Sequence, residues 1–339
     1  MQNYKALKLI VSSSPHIRSS ETTRTIMLDV IIAMMPALVW ATIFFGWEAL
    51  ILTGASVIGC VCFEALYRYL LKKPQSVGDL SAVVTGILLA FVCPPTTPLW
   101  MVLIGDFFAI VVVKQLFGGI GKNFINPALA GRAFLLGSYA GAMTKWVDPN
   151  VNKASFFWQK VDAVTAATPL SYLKNGDLEG LKETVSVADM FLGKIGGSLG
   201  EISALMLLIG GLYLLARRVI SWQTPIAYIG TVAVLTFLFP KAGSGADFML
   251  YSIFGGGLFL GAFFMATDYA TSPITKKGQF IYGVGCGLFT VFIRYFGSYN
   301  EGVCYSIMVM NCFTPLIDRF VKPARFGVVK SNGKEAAAK

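Results

Sequence analysis

Charge is what this chain has least of. Only 14% of its 339 residues are charged and 55% are hydrophobic, whereas a soluble domain usually carries about 25% charged residues. That shortage argues against a soluble enzyme. Apolar runs of roughly 18 or more residues recur along the whole length, each enough to cross about 30 Å of hydrocarbon. The ~10-residue alternation of a transmembrane β-barrel is missing, so the class is a polytopic all-α membrane protein. Histidine is nearly absent as well. His16 is the sole one and stands in the polar N-terminal lead, which excludes a haem held by two intramembrane histidines. The six cysteines (Cys60, Cys62, Cys93, Cys286, Cys304, Cys312) contain no Cys-x-x-Cys, which argues against zinc or iron–sulfur ligation by this chain alone. They read as small apolar helix residues. No small-residue cleavage site follows the first apolar block near Ile26, so that block reads as a retained helix.

What is present is a regular topology. Ten spans are expected, at about 27–45, 49–70, 79–95, 99–117, 126–142, 200–217, 222–240, 247–267, 279–295 and 302–319. The formal charge of +10 follows this topology and does not indicate nucleic acid. With the N-terminus inside, nineteen of the 28 Lys and Arg fall in cytoplasmic segments and eight outside, six of those in the long loop 143–199, while Arg132 is left within a span. The short loops obey the positive-inside rule, and both termini are expected on the cytoplasmic side. The chain divides into a lead (1–26), a first membrane half of five helices (27–142), an extracytoplasmic loop (143–199), a second half of five helices (200–320) and a tail (321–339).

Five helices per half, an odd number, set the halves in opposite orientations, the parity of an inverted repeat. The third span runs Thr85-Gly-Ile-Leu-Leu-Ala-Phe and then breaks into Cys-Pro-Pro-Thr-Thr-Pro98. The eighth runs from Gly256-Gly and breaks into Thr267-Asp-Tyr-Ala-Thr-Ser-Pro273. Interrupted helices at matched places point to a central site; two unrelated helix ends are the other reading. The loop 143–199 is too apolar for disorder and too short for a large core of its own, so turns and short helices packed on the outer face are expected.

Within that loop, Asp162, Thr165, Ala167 and Thr168 fit the pattern Asp-x-x-Ser/Thr-Gly/Ala-Ala-Thr. Taken alone, Thr168-Pro169 is also a good helix N-cap and first-turn pair. Three other segments accompany it: Gly118-Gly-Ile-Gly-Lys-Asn-Phe-Ile-Asn-Pro-Ala-Leu-Ala-Gly-Arg132, Phe263-Phe-Met-Ala-Thr-Asp268 with Thr271-Ser-Pro273, and Met310-Asn-Cys-Phe-Thr-Pro-Leu-Ile-Asp318. Gly118 to Lys122 is no phosphate loop, because no strand precedes it and no Ser or Thr follows Lys122.

Together, and in this order over essentially the whole chain, these segments resemble one family. It comprises the D subunits of Rnf ion-translocating electron-transport complexes and the B subunits of sodium-pumping NADH:quinone reductases. The short N-terminal lead favours the Rnf branch. The resemblance implies a fold similar to urea or ammonium channels. It implies FMN joined through a phosphoester to Thr168, with Asp162 and Thr165 read by the flavin transferase that makes the bond. Ala166 departs from the family's frequent Gly. The resemblance further implies a noncovalent riboflavin near the cytoplasmic face. Asn123 and Asn126, taken as one turn apart at a polar helix start, are its expected contacts, with capping before Pro127 as the alternative. Implied partners are the A, B, C, E and G subunits of Rnf, in the cytoplasmic membrane of a bacterium or archaeon, with Na⁺ or H⁺ as the coupled ion. Ferredoxin and NAD must bind those partners, since this chain has neither a dinucleotide fold nor an iron–sulfur motif.

One flavin at each face would relay electrons across a layer too thick for one efficient hop, and a flavin handles one or two electrons. Charges inside the spans are functional candidates. Asp268 is favoured as cation-facing, at the broken end of the eighth span; Asp106 and Glu64 are further candidates. Glu64 could instead pair with Arg68 one turn on, and Asp106 with Arg132. The competing functions are a passive channel and a cofactor-free scaffold.

Overall fold

The computed structural model describes residues 21–146, 168–193 and 195–322. Asp162, Thr165 and His16 lie outside them. Every regular element among the described residues is helical.

Helix α1 (Thr23–Phe45) opens with a reciprocal cap, in which the Thr22 hydroxyl accepts from Thr25 N–H and Thr25 bonds back. It stops at Gly46, whose φ of 74° is open to glycine and costly for other residues. Helix α2 (Trp47–Leu70) starts at the next residue, so one glycine makes the whole turn. Helix α3 (Ser81–Phe91) has 11 residues, about 17 Å, and cannot cross the hydrocarbon alone. Beyond it the chain leaves helical geometry. Phe91 C=O and Cys93 C=O accept from Gly200 N–H (2.8 Å) and Leu199 N–H (3.1 Å), tying the broken third span to the start of the second half. Helix α4 (Leu99–Phe107) continues as a wider π-helical stretch, Phe108–Gln115. Helix α5 (Pro127–Ser138) is followed by the short α6 (Ala140–Met143).

The expected short helices of the long loop are α7 (Pro169–Asn175), α8 (Leu178–Thr184) and α9 (Val187–Leu192). They bury Leu170, Leu173, Leu181 and Met190 against Phe248 and Tyr251. The second half contains α10 (Ala204–Ala216), α11 (Gln223–Leu238), α12 (Gly245–Phe254), α13 (Leu258–Leu260, continuing as a π-helical turn through Met265), α14 (Lys276–Phe296) and α15 (Val303–Phe320).

Helices α1, α2 and α14 are each long and apolar enough to cross a membrane, and α12 with α13 forms a further broken span bent by 63°. The bend corrects the sequence reading. The eighth span does leave helical geometry after Met265, but its sharp break lies at Gly255–Gly257, ahead of the Thr- and Pro-bearing stretch. Gly256 has φ 57°, and a Cβ at that position would clash with Leu170 of α7, so the turn calls for glycine.

Helix α1 packs on α10, α5 on α15, and α11 on α14, while α2 lies against α3 and α4. One core runs through both halves, with Met34, Leu89, Leu129, Tyr228, Leu260 and Tyr282 fully buried. Large apolar residues such as Val39, Ile43, Phe296 and Phe320 face outward, as suits helices solvated by lipid.

Candidate functional site

Two pockets open at opposite ends of α5. The first is lined by Ser81, Lys114, Asn123, Asn126, Thr267 and Asp268, among others, with a volume near 100 Å³. The second is lined by Arg132, Trp146, Thr168, Tyr299, Glu301 and Tyr305, with a volume near 260 Å³. Asn126 and Pro127 border one, Arg132 and Leu136 the other; five residues of helix, about 7.5 Å along the axis, separate the nearest of them.

At the first pocket the local structure differs from the expectation. Lys122–Ile125 is not helical, so Asn123 and Asn126 do not share a helix face. Asn126 is the N-cap of α5: its Oδ1 accepts from Ala128 N–H (3.0 Å) and Leu129 N–H (3.5 Å). Its Nδ2 donates to Met265 C=O at 3.3 Å, which joins α5 to the end of the broken span. The capping alternative therefore describes Asn126. Asn123 Nδ2 donates to Ile125 C=O at 3.1 Å. Asp268 closes the turn that follows the π-helical segment, accepting from Ala270 N–H (3.5 Å) and the Thr271 hydroxyl (3.1 Å).

Lys114, counted by charge alone as part of a cytoplasmic segment, is buried at 3% exposure. Its Nζ donates to Glu64 Oε2 at 2.7 Å and to Ser81 Oγ at 2.6 Å. This overturns the expected Glu64–Arg68 pair. Arg68 bonds Gln115 Oε1 (3.3 Å) and Pro74 C=O (2.7 Å). Lys114 reaches Glu64 because the π-helical stretch turns it inward toward α2 and α3. An ammonium has three donors, and this one borders the cavity.

The second pocket has a charged floor. Arg132 does not pair with Asp106, contrary to that expectation. It forms ion pairs with Glu301 and, at 3.5 Å, with Glu201. Arg294 is buried beside them and donates through Nε to Glu301 C=O (3.0 Å), through Nη1 to Ser252 C=O (2.6 Å) and through Nη2 to Gly255 C=O (3.1 Å). The guanidinium thus satisfies carbonyls freed where α12 breaks. Arg132 Nε and Glu201 Oε1 are buried without a hydrogen-bond partner. Glu201, Glu301, Arg294 and Lys114 escaped sequence reasoning as site residues. The signal that existed was Gly255-Gly-Gly, a run of glycines inside an apolar span.

Thr168 is the N-cap of α7 by position, yet its hydroxyl makes no capping bond; its C=O accepts from Ser171 N–H (2.8 Å) and Oγ–H (2.7 Å). Thr168 borders the pocket together with Trp146 and the stacked rings of Tyr299 and Tyr305, 5.2 Å apart. Aromatic walls, a hydroxyl that makes no capping bond and a buried guanidinium with a spare donor fit a flat, phosphate-bearing ligand. The first pocket fits a neutral heterocycle through Lys114 and the amide of Asn123. Asp106 and Glu64 do not border either pocket.

A family model described as "NQR2, RnfD, RnfE family" matches residues 10–327. A curated relative, the D subunit of the Na(+)-translocating ferredoxin:NAD(+) oxidoreductase complex of Acetobacterium woodii, is 51% identical over 334 residues, covering 98% of this chain and 99% of the relative. The D subunit of the proton-translocating ferredoxin:NAD(+) oxidoreductase complex of Clostridium ljungdahlii is 44% identical over 323 residues (94% and 96%). The D subunit of the ion-translocating oxidoreductase complex of Stutzerimonas stutzeri is 38% identical over 329 residues (89% and 91%).

Proposed function

The chain belongs to the NQR2, RnfD, RnfE family, and from that premise we propose that it is the membrane-embedded electron-transfer flavoprotein subunit of an Rnf-type complex. The complex is a ferredoxin:NAD⁺ oxidoreductase that couples electron flow to the translocation of Na⁺ or H⁺, the activity its relatives' names carry. Those names tell against a passive channel or an inert scaffold.

In this reading the ten helical segments form two inverted five-helix halves with both termini cytoplasmic, in the inner membrane of a bacterium or archaeon. The A, B, C, E and G subunits complete the complex. Thr168 carries FMN through its hydroxyl after a flavin transferase has read Asp162 and Thr165; Asn123 and Lys114 hold riboflavin, and Asn126 shapes that pocket by capping α5. Flavins supply one- and two-electron chemistry. The protein's part is to fix each ring, exclude water and keep the two sites a short helix apart. The observation that carries the reading is that the threonine and the asparagines line separate pockets at opposite ends of α5.

The test is in-gel fluorescence of denatured subunit from cells that also make the transferase. A flavin band is expected for the wild type and lost in Thr168→Val, while extractable flavin persists in both. A wild-type band that never forms would refute the assignment.

A further inference from the structure

Asp106 is a carboxylate without a counter-ion. It lies near the end of α4, just before the π-helical stretch takes over, and is wholly buried. Its Oδ1 accepts from the Ser56 hydroxyl at 2.7 Å and the Cys60 thiol at 3.3 Å, while Oδ2 has no partner. Gly59 of α2 faces that free oxygen, and a Cβ there would stand 2.8 Å from it. The glycine leaves room for the oxygen and brings it no donor.

The charges of the surrounding elements are already committed. On α2 and the π-helical stretch, Glu64 and Lys114 neutralise each other. On α5, Arg132 belongs to Glu201 and Glu301. On α3 and the residues after it, the groups facing this region are Gly86 C=O and the Cys93 thiol. Among the described residues no cation pairs with Asp106.

A bare carboxylate in such a place is strongly disfavoured, so either a metal cation or a proton must neutralise it. A hard cation needs a shell of oxygens. The groups bonded to the carboxylate are a thiol, a soft ligand, and Ser56 Oγ, which also bonds Gly86 C=O at 2.9 Å. A proton needs none of these.

We propose that Asp106 is a proton-binding site of the first membrane half, held as a carboxylic acid between α2 and α4 and exchanging its proton as the complex turns over. π-Helical turns recur at functional sites. This one starts two residues after Asp106 and carries Lys114, at the border of the Asn126 pocket, about two turns further on. The exchange rests on the reading of this chain as an electron-transfer subunit; the bound proton does not.

The test is infrared difference spectroscopy, reduced minus oxidised, on the whole complex with its flavins. The expected result is a carbonyl-stretch band of a protonated carboxylic acid that shifts in heavy water and is lost in Asp106→Asn, a neutral isostere that keeps the pocket's shape. Ser56→Ala should keep the band and raise its frequency, because the carboxyl oxygen loses a donor. A spectrum unchanged by Asp106→Asn overturns the proposal. So does a band that titration with Na⁺ abolishes, since a metal cation would then be the natural occupant. The fluorescent gel band of the same samples reports on the flavin reading separately.

Discussion

The two ends of α5 solve one problem by different means. At the Asn126 end the pocket is lined by two amides, hydroxyls, Asp268 and Lys114, whose ion-pair partner Glu64 stands behind it, 50 positions away in sequence. At the Thr168 end the floor is Arg132 of α5 with Glu301, backed by Arg294 of α14 and by Glu201 from the segment before α10. The first end can bind a neutral ring by hydrogen bonds and release it. The second is braced by charges that cannot be lost singly, which suits a site whose ligand is bonded in place. The broken span joins them, with Leu170 and Arg294 at its break and Met265 C=O on Asn126 at its other end.

Breaking the charged floor should have the largest effect. Arg132→Leu leaves the buried Glu201 and the half-buried Glu301 unpaired and should cost about 3–5 kcal/mol, read as a fall in the melting temperature of the purified complex. Adding Glu301→Gln should recover part of it. Lys114→Met strikes the other end and should cost less, about 2–3 kcal/mol, because the Ser76 hydroxyl still reaches Glu64. It should lower extractable flavin while the covalent band persists; equal loss of both would erase the distinction between the ends. Gly256→Ala forces a left-handed residue against Leu170 and should cost about 1–2 kcal/mol, with covalent loading reduced first. Asn126→Ala removes a cap, about 1 kcal/mol, and Asn126→Ser should restore stability without restoring the bond to Met265 C=O. Lys182→Ala, at the exposed Lys182–Asp247 pair, should leave melting and flavin content unchanged, since such pairs contribute little.

Much of the fold could be read without coordinates, because an apolar run long enough to cross lipid is a local property. The caps at Thr22 and Asn126 and the glycine stop at Gly46 are likewise written within a few residues. The failures share one cause. The Glu64–Arg68 expectation used helical spacing, but a charge buried in lipid takes whichever opposite charge packing brings to it, and the π-helical stretch brought Lys114. Asp106 and Arg132 looked like partners because each lacked one nearby in sequence. Arg132 found Glu301 169 positions away, and Asp106 found only hydroxyl and thiol donors. The helix break was misplaced by weighting proline over Gly255-Gly-Gly.

By itself the sequence determined that this is a helical membrane protein, and it offered Thr168 and the Asn123–Asn126 segment as candidates. Only the tertiary structure decided which charges meet, that Asp106 meets none among the described residues, and that the two segments border separate pockets along one helix. Hydrophobic length and capping act over one to six turns of chain. Ion pairing inside a low-dielectric bundle is settled by desolvation, which acts only once distant helices have closed around the charge.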